Sequence, residues 1–182
     1  MTGAYAGILN GGSSVTPYGL KELRLLGDDE PLMGTGGGIG ERVIQEKAAR
    51  ELTWMMYQVV HGGTGSRAKL PDREAAGKTG TTQAARDAWF LGFTAHYVAG
   101  VWMGYDDNTP LTGVTGGGLP AEIWHETMMR VHEGIEPHPL PMLRPEPAPA
   151  PRRDQPRNAP RQQRNQGNPI ENILRGILGM GN

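Results

Sequence analysis

Two consecutive segments, Ala88-Trp89-Phe90-Leu91-Gly92-Phe93 and Tyr97 to Tyr105, restrict the fold more than anything else in this chain. The first is nearly continuously apolar. In the second, Tyr97, Ala99, Val101 and Met103 alternate with Val98, Gly100, Trp102 and Gly104, so neither face is charged. Strands with no charged face read as a sheet covered on both sides, because an uncovered face would forfeit the burial that holds it. Candidate covering elements flank them. Gln45 to Val60 has helical periodicity, with Ala48, Leu52, Met55, Met56, Val59 and Val60 on one face and Gly62-Gly63 as its stop. Pro120 to His132 predicts a second helix, with proline in its first turn, Trp124, Met128 and Val131 inward, and Gly134 at its end. A short apolar segment, Ala4 to Leu9, is closed by Asn10-Gly11-Gly12 as a helix is. Tyr18 to Leu26 and Pro31-Leu32-Met33 flank Gly27-Asp28-Asp29-Glu30, which predicts a hairpin or loop pair. Helices before and after an antiparallel sheet make the expected class α+β, with layers.

Composition then divides the chain. Residues 1–135 mix apolar runs with glycine turns, as a packed domain does. Residues 136–168 are dominated by Pro, Arg, Gln and Asn, as in Pro137-His138-Pro139-Leu140-Pro141. Such a segment buries too little apolar area to offset chain entropy, and it predicts a disordered Pro/Arg-rich linker. Beyond it, Ile170, Ile173, Leu174, Ile177 and Leu178 recur at helical spacing, which predicts a short amphipathic helix over 169–178. That helix reads either as a frayed tail or as a docking segment. A net charge of -1 supplies no electrostatic ground for nucleic acid as a partner. The absence of cysteine excludes disulfides, thiolate nucleophiles and cysteine zinc sites. No run approaches the ~18 apolar residues of a spanning helix, and the residues after Met1 lack the basic start of a signal peptide.

The chemistry concentrates in Glu74-Ala75-Ala76-Gly77-Lys78-Thr79-Gly80-Thr81-Thr82. Lys78 supplies a positive charge, Thr79, Thr81 and Thr82 supply hydroxyls, and Gly80 lets a ligand backbone lie close. An anionic peptide end can pair with such a strand edge and place its carboxylate among hydroxyls and ammonium. Two nucleotide readings fail on spacing. A phosphate loop ending in Gly77-Lys78-Thr79 needs glycine where Asp72 stands, and it needs a helix where Thr81-Thr82-Gln83 leads into a strand. Gly34-Thr35-Gly36-Gly37-Gly38-Ile39-Gly40 never satisfies G-x-G-x-x-G and reads as a flexible turn. Asp106-Asp107 has no histidine or third carboxylate nearby in sequence and reads as a solvated turn rather than a metal site. No cofactor is implied.

Five ordered blocks now carry a resemblance. They are Gly63-Thr64-Gly65, Ala76 to Thr82 with its Lys78-Thr79-Gly80, Asp87 to Thr94, Val101-Trp102-Met103-Gly104-Tyr105-Asp106-Asp107, and Thr115-Gly116-Gly117-Gly118-Leu119-Pro120. Over roughly residues 3–133 the chain resembles the C-terminal part of the transpeptidase domain of bifunctional (class A, 1A-type) penicillin-binding proteins, whose signature set includes K-T-G. The resemblance implies a partial penicillin-binding-protein/β-lactamase-like fold and a substrate strand at Lys78-Thr79-Gly80. Lys78 would help hold the terminal carboxylate of a peptidoglycan stem peptide or a β-lactam, with Thr79 and Thr81 donating hydroxyl hydrogen bonds to it. The backbone N–H of Thr81 would form half of an oxyanion hole. Asp87 and Trp89 read as supports of the neighbouring strand, and Thr82 as a strand former.

The nucleophile is the missing part. Ser66-Arg67-Ala68-Lys69 matches the family's S-x-x-K literally, but it follows Gly62-Gly63-Thr64-Gly65 in a loop nine residues before Lys78. No Ser-x-Asn occurs, and neither Ser13 nor Ser14 has lysine three residues on. Acyl transfer needs an activated serine with a base beside it. The expectation is therefore a fragment without acylation activity, whose remaining domain lies upstream and whose parent sits at the inner membrane facing the periplasm. A non-catalytic peptide-binding module with a partner-docking tail is the competing reading.

Overall fold

The computed structural model describes residues 1–34 and 36–146. In chain order these residues form helix α1 (Thr2–Leu9), strands β1 (Ser13–Thr16), β2 (Glu22–Leu23), β3 (Met33–Gly34) and β4 (Gly38–Arg42), and helix α2 (Glu46–His61). Strands β5 (Ala76–Thr81), β6 (Asp87–Phe93) and β7 (Val98–Gly104) and helix α3 (Leu119–Val131) follow. Short one-turn helices at Ser66–Ala68 and Gln83–Ala85 punctuate the connections. The class is α+β, with antiparallel strands throughout.

The apolar segments become the middle and one edge of a three-stranded sheet in the order β5-β6-β7. Central β6 is buried on both faces, as the lack of a charged face requires. Ala88, Phe90 and Gly92 share one face with Ala99 and Val101 of β7, and α3 closes over them. There Trp124, fully buried, meets Phe90 edge-on at 5.3 Å between ring centroids. Its indole N–H also donates to the Ala99 carbonyl at 3.2 Å, so the bulkiest core residue leaves no polar atom unpaired. Gly92 is required at this contact. A Cβ on it would lie 2.9 Å from the Trp124 ring and 2.8 Å from the Phe90 ring. On the opposite face, Tyr5, Ile8 and Leu9 of α1 pack against Phe93 with Met56 and Ala76. Helix α2 serves both clusters, placing Met56 in one and Val60 in the other. Cover is thinner over β7, where Trp102 remains 45% exposed.

Several details depart from the pattern reading. The buried face of α2 is Ala49, Thr53, Met56 and Val60, whereas Ala48 and Met55 are exposed. Thr53 is tolerated inside because its hydroxyl donates to the Ala49 carbonyl at 2.9 Å, one helical turn back. Val131 is exposed, and His132 takes the inward place expected of it. The glycine-rich stretch over 34–40 is not merely a turn, because Gly38–Arg42 pairs with Ser13–Thr16 as an antiparallel strand. Gly12 makes that pairing feasible. Its φ of +108° suits glycine, and its carbonyl accepts the N–H groups of Val43 and Ile44 at 2.8 and 3.0 Å. The expected hairpin forms between β2 and β3.

The chain beyond Ile135, expected to leave as a linker at residue 136, instead continues along the domain. Leu140 is buried in the cluster with Phe93, and its N–H donates to the Glu74 carboxylate at 2.9 Å. The Leu143 N–H donates to the Arg50 carbonyl at 3.0 Å, and the Arg144 guanidinium lies 4.8 Å from the centre of the Trp54 ring. Pro137, Pro139 and Pro141 preset an extended backbone, so laying this segment down loses less chain entropy than composition implies. The rest of the expected linker, 147–168, and the expected helix 169–178 lie outside the described residues.

This segment also brings His138 against His96, at 4.9 Å between ring centroids, with His132 6.0 Å from His96. Thr94 organises the cluster. Its hydroxyl oxygen accepts the N–H groups of His96 and Tyr97 at 3.2 and 3.3 Å and lies 2.9 Å from His132 Nε2, which accepts the hydroxyl proton in the neutral tautomer whose Nδ1–H donates to the Met128 carbonyl at 2.7 Å. Desolvation, then the nearby His138, His132 and Arg73, hold His96 below its usual pKa of 6.5. A depressed imidazole pKa favours the folded chain above 6.5, and that contribution is lost as pH falls from there through the depressed folded value. In a proton NMR titration of the ring resonances, His96 is expected to titrate below 6.5, and His138→Asn to raise its midpoint partway back. A midpoint unmoved by that substitution contradicts the arrangement.

Candidate functional site at the free edge of the central sheet

Strand β5 pairs with β6 on one side and with nothing on the other among the described residues. Which of its groups face the open side follows from alternation. The Thr82 N–H donates to the Asp87 carbonyl at 3.0 Å, so position 82 turns its backbone toward β6. In an antiparallel ladder every second residue does the same. Lys78 and Gly80 therefore direct their N–H and C=O inward, and Thr79 and Thr81 direct theirs to the free edge. Side chains alternate at right angles to this. Cross-strand register puts Thr79 and Thr81 on the face shared with Phe90 and Ala88, and Lys78 on the face shared with Leu91.

The sequence-predicted residues are thus brought to one edge but divided between two faces. Thr79 and Thr81 line a cavity of about 320 Å³ together with Thr64, Thr115 and Gly117. Thr64 Oγ1 lies 2.9 Å from Thr79 Oγ1, and the Gly116 N–H donates to Thr81 Oγ1 at 3.0 Å. Lys78 does not line the cavity. Its Nζ returns across the edge to donate to the Thr79 carbonyl at 2.7 Å, leaving an exposed ammonium at the open side of the strand. Gly80 has no side chain to obstruct that edge.

Two glycine loops form the cavity's walls, one before the turn at Ser66–Ala68 and one before α3. Both fit only because they lack side chains. A Cβ on Gly116 would overlap the carbonyl oxygens of Trp89 and Gly80, and one on Gly117 would overlap the Thr64 carbonyl. Asp87 braces the end of β5 from below. Its N–H donates to Thr82 Oγ1 at 2.8 Å, and its carboxylate accepts the Trp102 indole N–H at 3.0 Å. Asp107 accepts the Thr109 N–H at 2.9 Å, a turn contact that also holds its carboxyl below the usual range. Ser66 and Lys69 sit at a 3₁₀ turn, and neither lines the cavity. Neighbouring Arg67 pairs with Glu122 of α3.

The family model for the penicillin binding protein transpeptidase domain matches residues 1–128. The chain belongs to that family. Penicillin-binding protein 1A of Aquifex aeolicus is 34% identical over 129 residues, which cover 70% of this chain and 18% of that protein. Penicillin-binding protein 1B of Escherichia coli is 35% identical over 117 residues, covering 62% of this chain and 14% of that one. The chain therefore spans less than a fifth of the length of these curated relatives. The crystal structure of penicillin-binding protein 1A from Haemophilus influenzae superposes with a TM-score of 0.63 at 25% identity, covering 78% of this chain and 27% of that one. Penicillin-binding protein A from M. tuberculosis, solved as an imipenem acyl-enzyme complex, shares the fold with a TM-score of 0.55 at 24% identity. The expected fold is thus the observed one. No helix among the described residues is long and apolar enough to cross a membrane.

Within this transpeptidase segment, the cavity residues Thr64, Thr115 and Gly117 were not legible as site residues from pattern alone. Each is far from β5 in sequence, and the available signal was only a threonine set among glycines in two separate loops. The geometry yields a stability expectation. Gly116→Ala has no space to relax into, because the blocking atoms are backbone on two strands, so it is expected to destabilise by about 1–3 kcal/mol. Gly113→Ala, in an open turn of the same connection, supplies the comparison, since only its φ of +71° opposes the change. Denaturant unfolding of both variants checks the ranking; equal or reversed losses contradict it.

Proposed function

We propose that this chain is the C-terminal part of a peptidoglycan D,D-transpeptidase domain and supplies the carboxylate-holding wall of its acyl-transfer site. The observation that carries this reading is the open edge of β5. Edge N–H and C=O groups at Thr79 and Thr81 offer an extended peptide a strand to pair with, and two threonine hydroxyls line the cavity beside it. A stem peptide, or a β-lactam in its place, would lie along that edge with its carboxylate against Thr79 and Thr81. The exposed Lys78 ammonium adds positive charge at the same edge, and Gly80 admits the close approach. The outward N–H of Thr81 is placed to donate to a carbonyl oxygen as it gains charge during acyl transfer.

In this reading the attacking serine and its base lie on polypeptide that these residues do not include, and that part of the same domain is the principal partner. Ser66 is not assigned to the role. Both Ser66 and Lys69 are exposed at a 3₁₀ turn, and neither lines the cavity beside β5. The parent enzyme would work at the inner membrane, facing the periplasm.

Fluorescent penicillin labelling tests the reading in two arms. The chain alone is expected to take no covalent label. Fused behind the first part of a family member's transpeptidase domain, with its S-x-x-K, it is expected to acquire label. Thr81→Pro removes both the edge N–H and the hydroxyl that accepts the Gly116 N–H, so Thr81→Val, which loses the hydroxyl alone, is its control; Thr81→Pro is expected to slow labelling of the fusion by about 10²–10³-fold more than Thr81→Val, the usual effect of losing an oxyanion donor. Labelling of the chain alone that vanishes in Ser66→Ala contradicts the assignment. So does a fusion whose labelling is indifferent to Thr81→Pro.

A further inference from the structure

We propose that Thr82 is a positioning residue for acyl transfer: its hydroxyl, bonded to Asp87, closes the last rung of the β5–β6 ladder and so holds the Thr81 N–H in place at the open edge. The inference rests on the reading that this N–H serves a developing oxyanion, and it concerns what keeps that donor aimed.

Thr81 is the last residue of β5, and a strand end is where a ladder frays. Two rungs flank it. Gly80 faces Trp89, position 82 faces Asp87, and both turn their backbone inward, which leaves the amide between them pointing out. The rung at Gly80 has ladder on both sides of it. The rung at Thr82 has only a turn beyond it, so the aim of the Thr81 amide depends on how that rung is made.

It is not made in the ordinary way. A hydrogen-bonded antiparallel pair exchanges two backbone bonds, each residue giving its N–H to the other's carbonyl. Here the Thr82 N–H donates to the Asp87 carbonyl at 3.0 Å, but the Thr82 carbonyl has turned away to accept the Ala85 N–H, also at 3.0 Å. The Thr82 hydroxyl takes its place. Its oxygen accepts the Asp87 N–H at 2.8 Å, and an Asp87 carboxylate oxygen lies 3.3 Å away as acceptor for the hydroxyl proton. The side chain thus lets the chain leave the sheet one residue after Thr81 without orphaning a donor.

So abrupt an exit strains the backbone. Ala84 and Ala85 both have positive φ, of 59° and 50°, where a Cβ is disfavoured. Such residues persist only where surrounding bonds over-determine them. The Leu111 N–H donates to the Ala85 carbonyl at 2.8 Å, and the Arg86 guanidinium donates to the Asn108 carbonyl. Asp87 is fixed as well, since its other carboxylate oxygen accepts the Trp102 indole N–H at 3.0 Å. Without the Thr82 hydroxyl, the Asp87 N–H would compete with that of Ala85 for the Thr82 carbonyl. The strained turn would then relax by moving the end of β5, and the Thr81 amide with it.

The fusion of this chain behind the S-x-x-K part of a family member tests the proposal. Labelling it over a range of fluorescent penicillin concentrations separates the limiting acylation rate from the half-saturating concentration. Thr82→Val keeps the shape and removes the hydroxyl. It is expected to lower the limiting rate by roughly tenfold, within the ~10²-fold that a misplacement of about 1 Å can cost, and to leave the half-saturating concentration unchanged. Thr82→Ser, which restores the hydroxyl, is expected to restore the rate. A limiting rate unmoved by Thr82→Val, a loss confined to the half-saturating concentration, or a loss that Thr82→Ser does not recover overturns the positioning role and leaves the Thr81 reading standing. Amide exchange in the full chain without its fusion partner supplies a second measure. There Thr82→Val is expected to speed exchange at Thr82 and Asp87 but not at Lys78, and equal protection with and without the hydroxyl overturns the rung. A fusion that Thr81→Pro slows no more than Thr81→Val removes the oxyanion reading, and this inference falls with it.

Discussion

Everything in this domain depends on β6 being buried on both faces. A strand packed between α3 on one side and α1 with α2 on the other cannot slide, because a one-residue slip would exchange the Phe90 and Phe93 environments. Trp124 closes the first face by satisfying three demands at once: it fills space against Phe90, excludes any side chain at Gly92, and gives its N–H to Ala99. With β6 fixed, its ladder fixes β5, and alternation decides which groups of Lys78, Thr79, Gly80 and Thr81 face the open edge. The reactive-looking segment is thus positioned by residues that have no part in chemistry.

The same constraint accounts for the glycines around the site. Two loops must cross close over β5 to wall the cavity, and the backbone atoms they cross belong to a sheet that cannot yield. Side chains at Gly116 and Gly117 are excluded for that reason rather than for flexibility. The outcome is a rigid recess with threonine hydroxyls on three sides and a lysine ammonium at the lip. Such a recess is organised before any ligand arrives, which lowers the ordering cost of holding one.

Much of this was legible in the sequence, and the exceptions have physical causes. The paired strands and α3 were readable because continuous apolar character, a first-turn proline and a stop glycine each have one structural use here. Helix α2 was readable as a helix, but its buried face was misplaced, since Thr53 counts as polar until its hydroxyl is seen bonded to Ala49. Strand β4 was hidden because glycines carry no propensity for it, and only long-range pairing with β1 makes it a strand. The segment carrying Leu140 was hidden by averaging, as two apolar anchors, Leu140 and Met142, were outvoted by surrounding proline and arginine. At the site, residue types singled out Lys78, Thr79, Gly80 and Thr81, which the fold brings to one strand edge. Pattern alone did not show that Lys78 and Thr79 lie on opposite faces, or that Thr64 and Thr115 join them, since those facts depend on how distant loops close.

The central claim is that β5 keeps an open edge at Thr79 and Thr81 and that an anionic chain end occupies it. Amide hydrogen exchange along β5, followed residue by residue with and without a carboxylate-terminated dipeptide, tests this most directly. The account predicts alternation in the free chain, with Lys78 and Gly80 protected and Thr79 and Thr81 exchanging freely, and protection of the latter two when the peptide is added. Uniform protection along the strand, or Thr79 and Thr81 amides indifferent to the peptide, would contradict it.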